Sequence, residues 1–467
     1  MGAEHTEEKI RKTDGSKSRF VAGGVAAAAA FHAVPRSVLG GQGKKSANQK
    51  LDIACVGLGG EGTWNLEHCE TENIVALCDV DWDAASSSFH RYPNAARYKD
   101  YRRMLDREKR IDAVIVATPD HTHAVIAAEA MKRGKHIYLQ MPLTHDVWEA
   151  RQLAKIAKET GVTTQMGNAR HSGPDIRRAC EWVWSGKLGA VREVHCWTYL
   201  PNWPQGVKRP KGQPPVPSKL DWNLWLGPVA KRAYNPAYHP FKWRGWTDFG
   251  TGALGAMGCD LLDAPFWALK LDQASSFTVD ATSTNTNAES YPEASVIRYK
   301  FPARGDMPPV AVTWYDGGLQ PARPPEMPDT REHMGGSGVV FVGDDCKMAF
   351  GPLVDGTLRG QAGPRLMPEH LTHSKGRPKR QIPRVKERFD WRQDSRHEQE
   401  WIRACKQGEQ PCASFGYSGP LTEMVLLGNV ALLSGGYIEW DSEKMQVKTP
   451  KKANNLIRRE YRKGWSL

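Results

Sequence analysis

The chain has nine cysteines but no Cys-x-x-Cys pair and no regular cysteine spacing. That argues against both a disulfide framework and a structural zinc site, and no metal is expected. Cys55 and Cys78 fall inside strand-like apolar runs and read as small core residues. No apolar run is long enough to cross a bilayer as a helix, so stable membrane insertion is not expected. There is no internal repeat, no zinc-finger spacing and no RNP-like aromatic motif. The net charge of +12 therefore finds no nucleic-acid partner in the sequence. Part of that charge is a local, proline-broken run: Lys375, Arg377, Lys379 and Arg380, with Arg384, Lys386 and Arg388 close behind. It reads as a solvated loop; an acidic or sulfated sugar partner is the other reading of the excess charge. Hydrophobic residues make up 40% and charged residues 25% of 467 positions, which fits a soluble chain long enough for two domains.

Residues 1–49 do not read as part of a fold. Lys9, Arg11, Lys12, Lys17 and Arg19 precede the small apolar run Val21 to Phe31, and small residues follow. A basic stretch, a short apolar stretch and small residues make an export signal. The run is similar to a twin-arginine signal, although Lys17-Ser-Arg-Phe20 lacks an Arg-Arg pair. The expected location is periplasmic, or cytoplasmic if the signal does not work.

What is present and most specific lies between Leu51 and Asp79. Leu51, Ile53, Cys55 and Val56 form a short apolar strand ending in Gly57-Leu-Gly-Gly60-Glu-Gly62, which fits G-x-G-x-x-G. A second apolar run, Ile74 to Cys78, ends on Asp79. Gly57 allows a tight turn, Gly59 lets the backbone approach a pyrophosphate, and Gly62 lets the next helix sit close to the strand. Gly60 belongs to the same loop. Asp79 is placed to accept hydrogen bonds from a ribose diol and to repel a 2′-phosphate, which favours NAD over NADP. A glycine-rich turn in some other α/β fold is the competing reading.

Beyond Asp79, helices are expected over 81–90, 98–105, 121–133 and 147–159. Strands are expected over 113–117, 135–139 and 162–166. That alternation predicts a doubly wound parallel sheet, a Rossmann domain over residues 50–170. The character changes after Gly167. A helix is expected over 176–185 and strands over 191–199, 277–286, 294–301, 310–315 and 338–342. Helices follow at 396–405 and 421–433, and the C-terminal residues are expected to return toward the first domain. Residues 171–467 thus read as an α/β domain with a large open, mostly antiparallel sheet. Residues 201–238 are rich in Pro, Trp and Gly and read as loop. Trp197, Trp203, Trp222, Trp225, Trp243 and Trp246 fall in or near this segment, either to stack on sugar rings or to pack a core.

Thr118-Pro-Asp-His-Thr-His123 resembles the T-P-x-x-x-H element of the glucose–fructose oxidoreductase, inositol dehydrogenase and MocA (Gfo/Idh/MocA) family. Gln140-Met-Pro-Leu143 falls where that family carries E-K-P. Gln165 to Asn168, Leu220 to Pro228, His239 to Arg244, Gly250 to Gly255, Gly419 to Val425 and Arg458 to Lys463 resemble an exported bacterial subgroup. The resemblance implies NAD-dependent hydride transfer at a sugar or cyclitol carbon, with a small carbohydrate as partner and assembly into a homo-oligomer. It places Thr118, Pro119, His123, Gln140, Met141 and Asn168 at the cofactor. Some relatives use the oxidation transiently to cleave a glycosidic bond, and an inactive NAD- and sugar-binding protein is a third possibility.

The resemblance fails at the acid–base set. Removing hydride from an alcohol carbon needs a base for the hydroxyl proton. The family supplies a lysine from E-K-P and an aspartate and histidine four residues apart on a helix. Here those positions are Met141, Ala256 and Asp260. Asp260 is the leading replacement base; Asp263, His239 and Lys242 are further catalytic candidates, and His171 lies in a motif segment nearby.

Overall fold

The computed structural model describes residues 49–327, 334–350, 363–385 and 395–467. The expected leader lies outside these residues apart from Gln49, as do Lys386 and Arg388. Six short strands form the first sheet: β1 Asp52–Val56, β2 Asn73–Cys78, β3 Ala96–Tyr98, β4 Ala113–Val116, β5 His136–Leu139 and β6 Thr164–Met166. All are parallel, in the order β3-β2-β1-β4-β5-β6. Ile53, Ala54 and Cys55 of β1, and every residue of β4, are buried, as a strand covered on both faces requires. The helix Val147–Thr160 shows how locally the elements are specified. Asp146 and Glu149 form a capping box at its start, and Gly161 ends it in the left-handed conformation.

Nine strands form the second sheet. They are β7 Val191–Thr198, β8 Ser276–Ser283, β9 Ser295–Phe301, β10 Val310–Tyr315, β11 Ser337–Gly343, β12 Lys347–Phe350, β13 Arg365–Met367, β14 Tyr437–Asp441 and β15 Gln446–Thr449. Their order is β13-β12-β11-β7-β10-β9-β8-β14-β15, antiparallel throughout except for β7 against β10. A parallel Rossmann sheet followed by a large, mostly antiparallel one is the expected architecture. Helices Gly252–Leu261 and Phe415–Ser434 share one hydrophobic core with this sheet, through Leu254, Val425, Ile297 and Tyr299.

Two expected helices are shorter than their sequence suggests. The 81–90 helix is confined to Ser86–Arg91, because the Asp81 carboxylate accepts the Asp83 and Ala84 amides at 3.0 and 3.3 Å and holds a turn. The 98–105 helix starts at Tyr101, where the Asp100 side chain caps it by accepting the Arg102 amide at 2.9 Å; Tyr98 stays in β3. The helix Arg396–Gln407 crosses back to the first domain. Its Trp401, Ile402 and Cys405 bury against Leu51, Ile53, Cys55 and Tyr138, and its Glu398 accepts the Tyr138 hydroxyl at 3.0 Å.

The segment 200–246 is built around its aromatic residues. Trp222 and Trp225 stack with centroids 4.5 Å apart, and Tyr238, Trp246 and Phe249 close round them. Most of the tryptophans grouped in the sequence are therefore core. This segment reaches the first domain by backbone pairing: the Asp221 amide donates to the Val80 carbonyl at 2.9 Å, and Asp81 bridges Leu220 antiparallel. No described helix is long and apolar enough to cross a membrane.

Candidate dinucleotide and substrate cleft

β1 must turn at once into the helix Glu61–Glu67. Gly57 makes the turn at φ +86°, and its amide donates to the Cys78 carbonyl at 2.9 Å. A Cβ there would lie 2.6 Å from the Ala117 oxygen, and one on Gly62 would collide with the Gly57 carbonyl. These two glycines let strand and helix touch. Gly59 and Gly60 differ: a Cβ on either meets no protein atom within 4 Å. Their side of the loop is an open cradle.

At the end of β2, Asp79 accepts the Leu58 amide on Oδ2 at 2.7 Å and the Asp81 amide on Oδ1 at 2.9 Å. Burial pushes its carboxyl up to about 6, against the pull of those amides. Asp79, Gly59 and Gly60 line a cavity of about 510 Å³, which is also walled by Thr118, Pro119, His123, Gln140 and Met141. The second domain closes the cavity with Ala256 and Met257 on one side and Trp203, Trp225, His239, Trp243 and Arg244 on another. An open glycine cradle next to a carboxylate that faces the same cavity fits an adenine dinucleotide.

The expected site residues divide. Gly57, Gly59, Gly60, Asp79, Thr118, Pro119, His123, Gln140 and Met141 line one cavity; Gly62 lies beneath the turn and does not reach it. Both ring nitrogens of His123 meet backbone carbonyls, Pro142 at 2.9 Å and Thr118 at 2.7 Å, so the ring ties β4 to β5. Gln140 bridges the loops, accepting from Asn65 at 3.2 Å and donating to the Gly167 carbonyl at 3.3 Å. Asn168 stands behind the wall: its amide donates to Asp263 at 3.1 Å, and its buried Oδ1 has no partner among the described residues.

Of the catalytic candidates, His239 reaches the cavity beside Asp79. There its Nε2 bonds Asp81 Oδ2 at 2.7 Å and holds the Asp81 carboxyl below its ordinary range. Through Asp81 it joins the two domains. Lys242 is exposed and lines no part of the cavity. Asp263 is fully buried and shared among His171 Nδ1 at 2.8 Å, Asn168 and the Tyr417 hydroxyl. His171 stacks on Trp267 at 4.4 Å. These contacts make Asp263 the acceptor of a wall network.

Asp260 lies one turn beyond Ala256 on the helix Gly252–Leu261. Among the described residues its buried Oδ1 has no hydrogen-bond partner, and its Oδ2 is 4.0 Å from Arg170 Nε. Burial raises its carboxyl above the ordinary value; Arg170 opposes, and Asp263 and Glu61 add to the rise. Met141 and Ala256 line the cavity and have no proton to exchange.

Five charged residues that line the cleft escaped the sequence reading as site groups: Glu61, Lys99, Asp100, Asp120 and Arg244. Asp120 lines the cavity, and its Oδ2 accepts the Thr251 hydroxyl at 2.6 Å. Burial raises its carboxyl, and His123 and Arg244 offset part of the rise. Asp81 does not line the cavity but holds His239, which does. Asp120 and Arg244 lay inside motifs already singled out, and Asp81 stands two residues past Asp79. A charged side chain within such a motif was the available signal.

A parallel sheet with a dinucleotide cradle, its cleft closed by the 200–246 segment and the helix Gly252–Leu261 of a second, mostly antiparallel domain, defines a two-domain nicotinamide-cofactor protein. Residues 51–168 match the model "Oxidoreductase family, NAD-binding Rossmann fold", and residues 185–305 match "Oxidoreductase family, C-terminal alpha/beta domain". The chain belongs to the Gfo/Idh/MocA oxidoreductase family, and its first domain is an NAD-binding one. It is 33% identical over 106 residues to a scyllo-inositol 2-dehydrogenase (NAD(+)) of Bacillus subtilis, covering 23% of this chain and 28% of that protein. It is 28% identical over 151 residues to a glycosyl hydrolase family 109 protein of Shewanella pealeana, covering 30% of this chain and 33% of that protein. The matched stretch spans about a third or less of both relatives. Among solved structures, the WlbA dehydrogenase from Bordetella pertussis, in complex with NADH and UDP-GlcNAcA, superposes with a TM-score of 0.56. Its identity is 14%, over 84% of this chain and 99% of that one, a likeness of fold.

Proposed function

We propose that the protein is an NAD-dependent oxidoreductase acting on an alcohol carbon of a sugar or cyclitol. Asp260 takes the acid–base role that the family gives to lysine, aspartate and histidine. One observation carries this reading. The cavity that holds Asp79 and the glycine cradle also holds Met141 and Ala256, and the buried carboxylate without a partner on Oδ1 lies one turn behind Ala256. When bound, the nicotinamide supplies the two-electron acceptor. Asp260 stands behind Ala256 and does not itself line the cavity, so it accepts the hydroxyl proton through water, and burial makes it a stronger base than an exposed carboxylate. Arg170 keeps the ionised form accessible.

Mass spectrometry of the denatured protein tests for retained dinucleotide, and a sugar and cyclitol panel read at the NADH absorbance tests turnover. D260N is expected to lower turnover by about 10²–10⁴ while leaving NAD affinity intact. Unchanged turnover removes Asp260 from the role.

A second reading is favoured by the enclosure of the cleft. Asp81–His239 and the pairing of residues 80–82 with 219–221 bind the second domain over the Asp79 end. An enclosed, recycled NAD suits glycosidic bond cleavage, and the family 109 relative supports that use. Such an enzyme turns over glycosides without added NAD and without net NADH. Export through the leader and assembly through the outer face of the nine-stranded sheet complete the proposal. Cell fractionation and light scattering test them.

A further inference from the structure

We propose that Arg244 is an oxyanion receptor in the cleft and that the substrate it selects carries a carboxylate, as a sugar acid does. This rests on the oxidoreductase reading above and names the substrate class for the same site.

Arg244 lines the cavity beside Trp203 and Trp243 and is half-buried. Its guanidinium lies 4.3 Å from the Trp243 ring, 4.7 Å from Phe241 and 5.9 Å from Trp203. These ring faces hold the planar group by cation–π attraction and fix its orientation. Nη1 donates to the Phe241 carbonyl at 3.2 Å. Among the described residues the rest of the fork has no hydrogen-bond partner, and Arg244 forms no ion pair. Its backbone is equally fixed. Gly250 passes against it so closely that a Cβ there would lie 2.5 Å from the Arg244 Cα.

A guanidinium partly withdrawn from water and left without a carboxylate costs free energy, and burial lowers its pKa. The nearest acids do not relieve it. Asp120 is bonded to Thr251, and Glu61 stands on the glycine loop; both influence Arg244 only through the field. The cavity lining also includes the uncharged Met141, Ala256 and Met257. A preorganised fork in such surroundings binds a planar carboxylate with two parallel hydrogen bonds and gains little from a lone hydroxyl. The excess positive charge of the chain suits the same ligand. An oxyanion could also come from the dinucleotide pyrophosphate, and the two sources separate by experiment.

Full-length NAD-loaded protein is titrated with glucuronate, galacturonate and gluconate and with glucose and galactose, following tryptophan fluorescence and NADH absorbance. The acids are expected to bind at least about tenfold more tightly than the neutral sugars. R244Q is expected to remove that preference by weakening the acids about 10- to 100-fold. R244K keeps the charge but not the fork and is expected to fall between the two. Binding of ADP-ribose and of adenosine to stripped protein is measured alongside, with thermal melting as the check on folding. Equal binding of acids and neutral sugars by the unaltered protein overturns the proposal and leaves the oxidoreductase reading standing. Loss of ADP-ribose binding in R244Q with adenosine binding intact also overturns it, and assigns the fork to the pyrophosphate. Failure of the unaltered protein to bind any sugar, acid or neutral, while it holds NAD overturns both.

Discussion

Replacing Gly59 with alanine is expected to separate folding from dinucleotide binding. A Cβ at Gly59 meets no protein atom within 4 Å, and its backbone lies outside the left-handed region, so alanine fits without strain. By restricting the unfolded chain the change is expected to leave stability unaltered or to raise it by about 0.4–1 kcal/mol. The new methyl projects into the cradle where a pyrophosphate must approach the backbone. Losing one hydrogen bond to that charged group costs about 1.5–3 kcal/mol, which is about 10- to 150-fold in affinity. Gly62→Ala is the contrast, because its Cβ would collide with the Gly57 carbonyl. Overpacking of that kind costs about 1–3 kcal/mol and is expected to lower the melting temperature of the protein without any ligand. Calorimetric titration with NAD and thermal melts of both variants give the four numbers needed. A G59A protein that melts normally and binds NAD as tightly as the parent refutes the placement of the pyrophosphate over this loop.

Three further outcomes follow from buried groups. NAD affinity is expected to fall as pH drops through about 6, the raised value of Asp79, because a protonated carboxyl accepts the ribose diol poorly. At pH 5 the loss is about tenfold relative to pH 7.5, and D79N is expected to show no such slope. The buried imidazolium of His171 is disfavoured by burial but held by Asp263 and then Cys412, which lift its pKa from 6.5 to about 10. The stability it contributes is full below about pH 6.5 and is lost as pH rises through about 10, so urea midpoints are expected to drop between about pH 6.5 and 10 and to drop less in H171Q. Trp401→Ala is expected to cost about 3–5 kcal/mol by opening a cavity under the first sheet, and a loss below 1 kcal/mol in urea unfolding contradicts that burial.

Much of the fold was legible because its signals are local. The glycine loop, the apolar periodicity of the 147–159 helix and the apolar strands each specify their element within a few residues. The expectations that slipped depended on side chains acting beyond their own element. Asp81 reads as a good helix-starting residue, yet it holds a turn and reaches His239, 158 positions away. His239 lies in a motif segment and Asp263 three residues beyond Asp260, but each is committed to a partner that sequence spacing does not reveal. Arg244 shows the converse. It ends a motif segment with nothing in its spacing to mark it, and only packing discloses that it lines the cleft against three aromatic rings, with no ion pair among the described residues.

The helix Arg396–Gln407 has a consequence for synthesis. The ribosome releases the six strands of the first sheet more than two hundred residues before the helix that shields Ile53, Cys55 and Tyr138. A nascent chain stopped near residue 170 therefore presents a bare oily face, and the nucleotide-binding half matures only when almost the whole polypeptide has emerged.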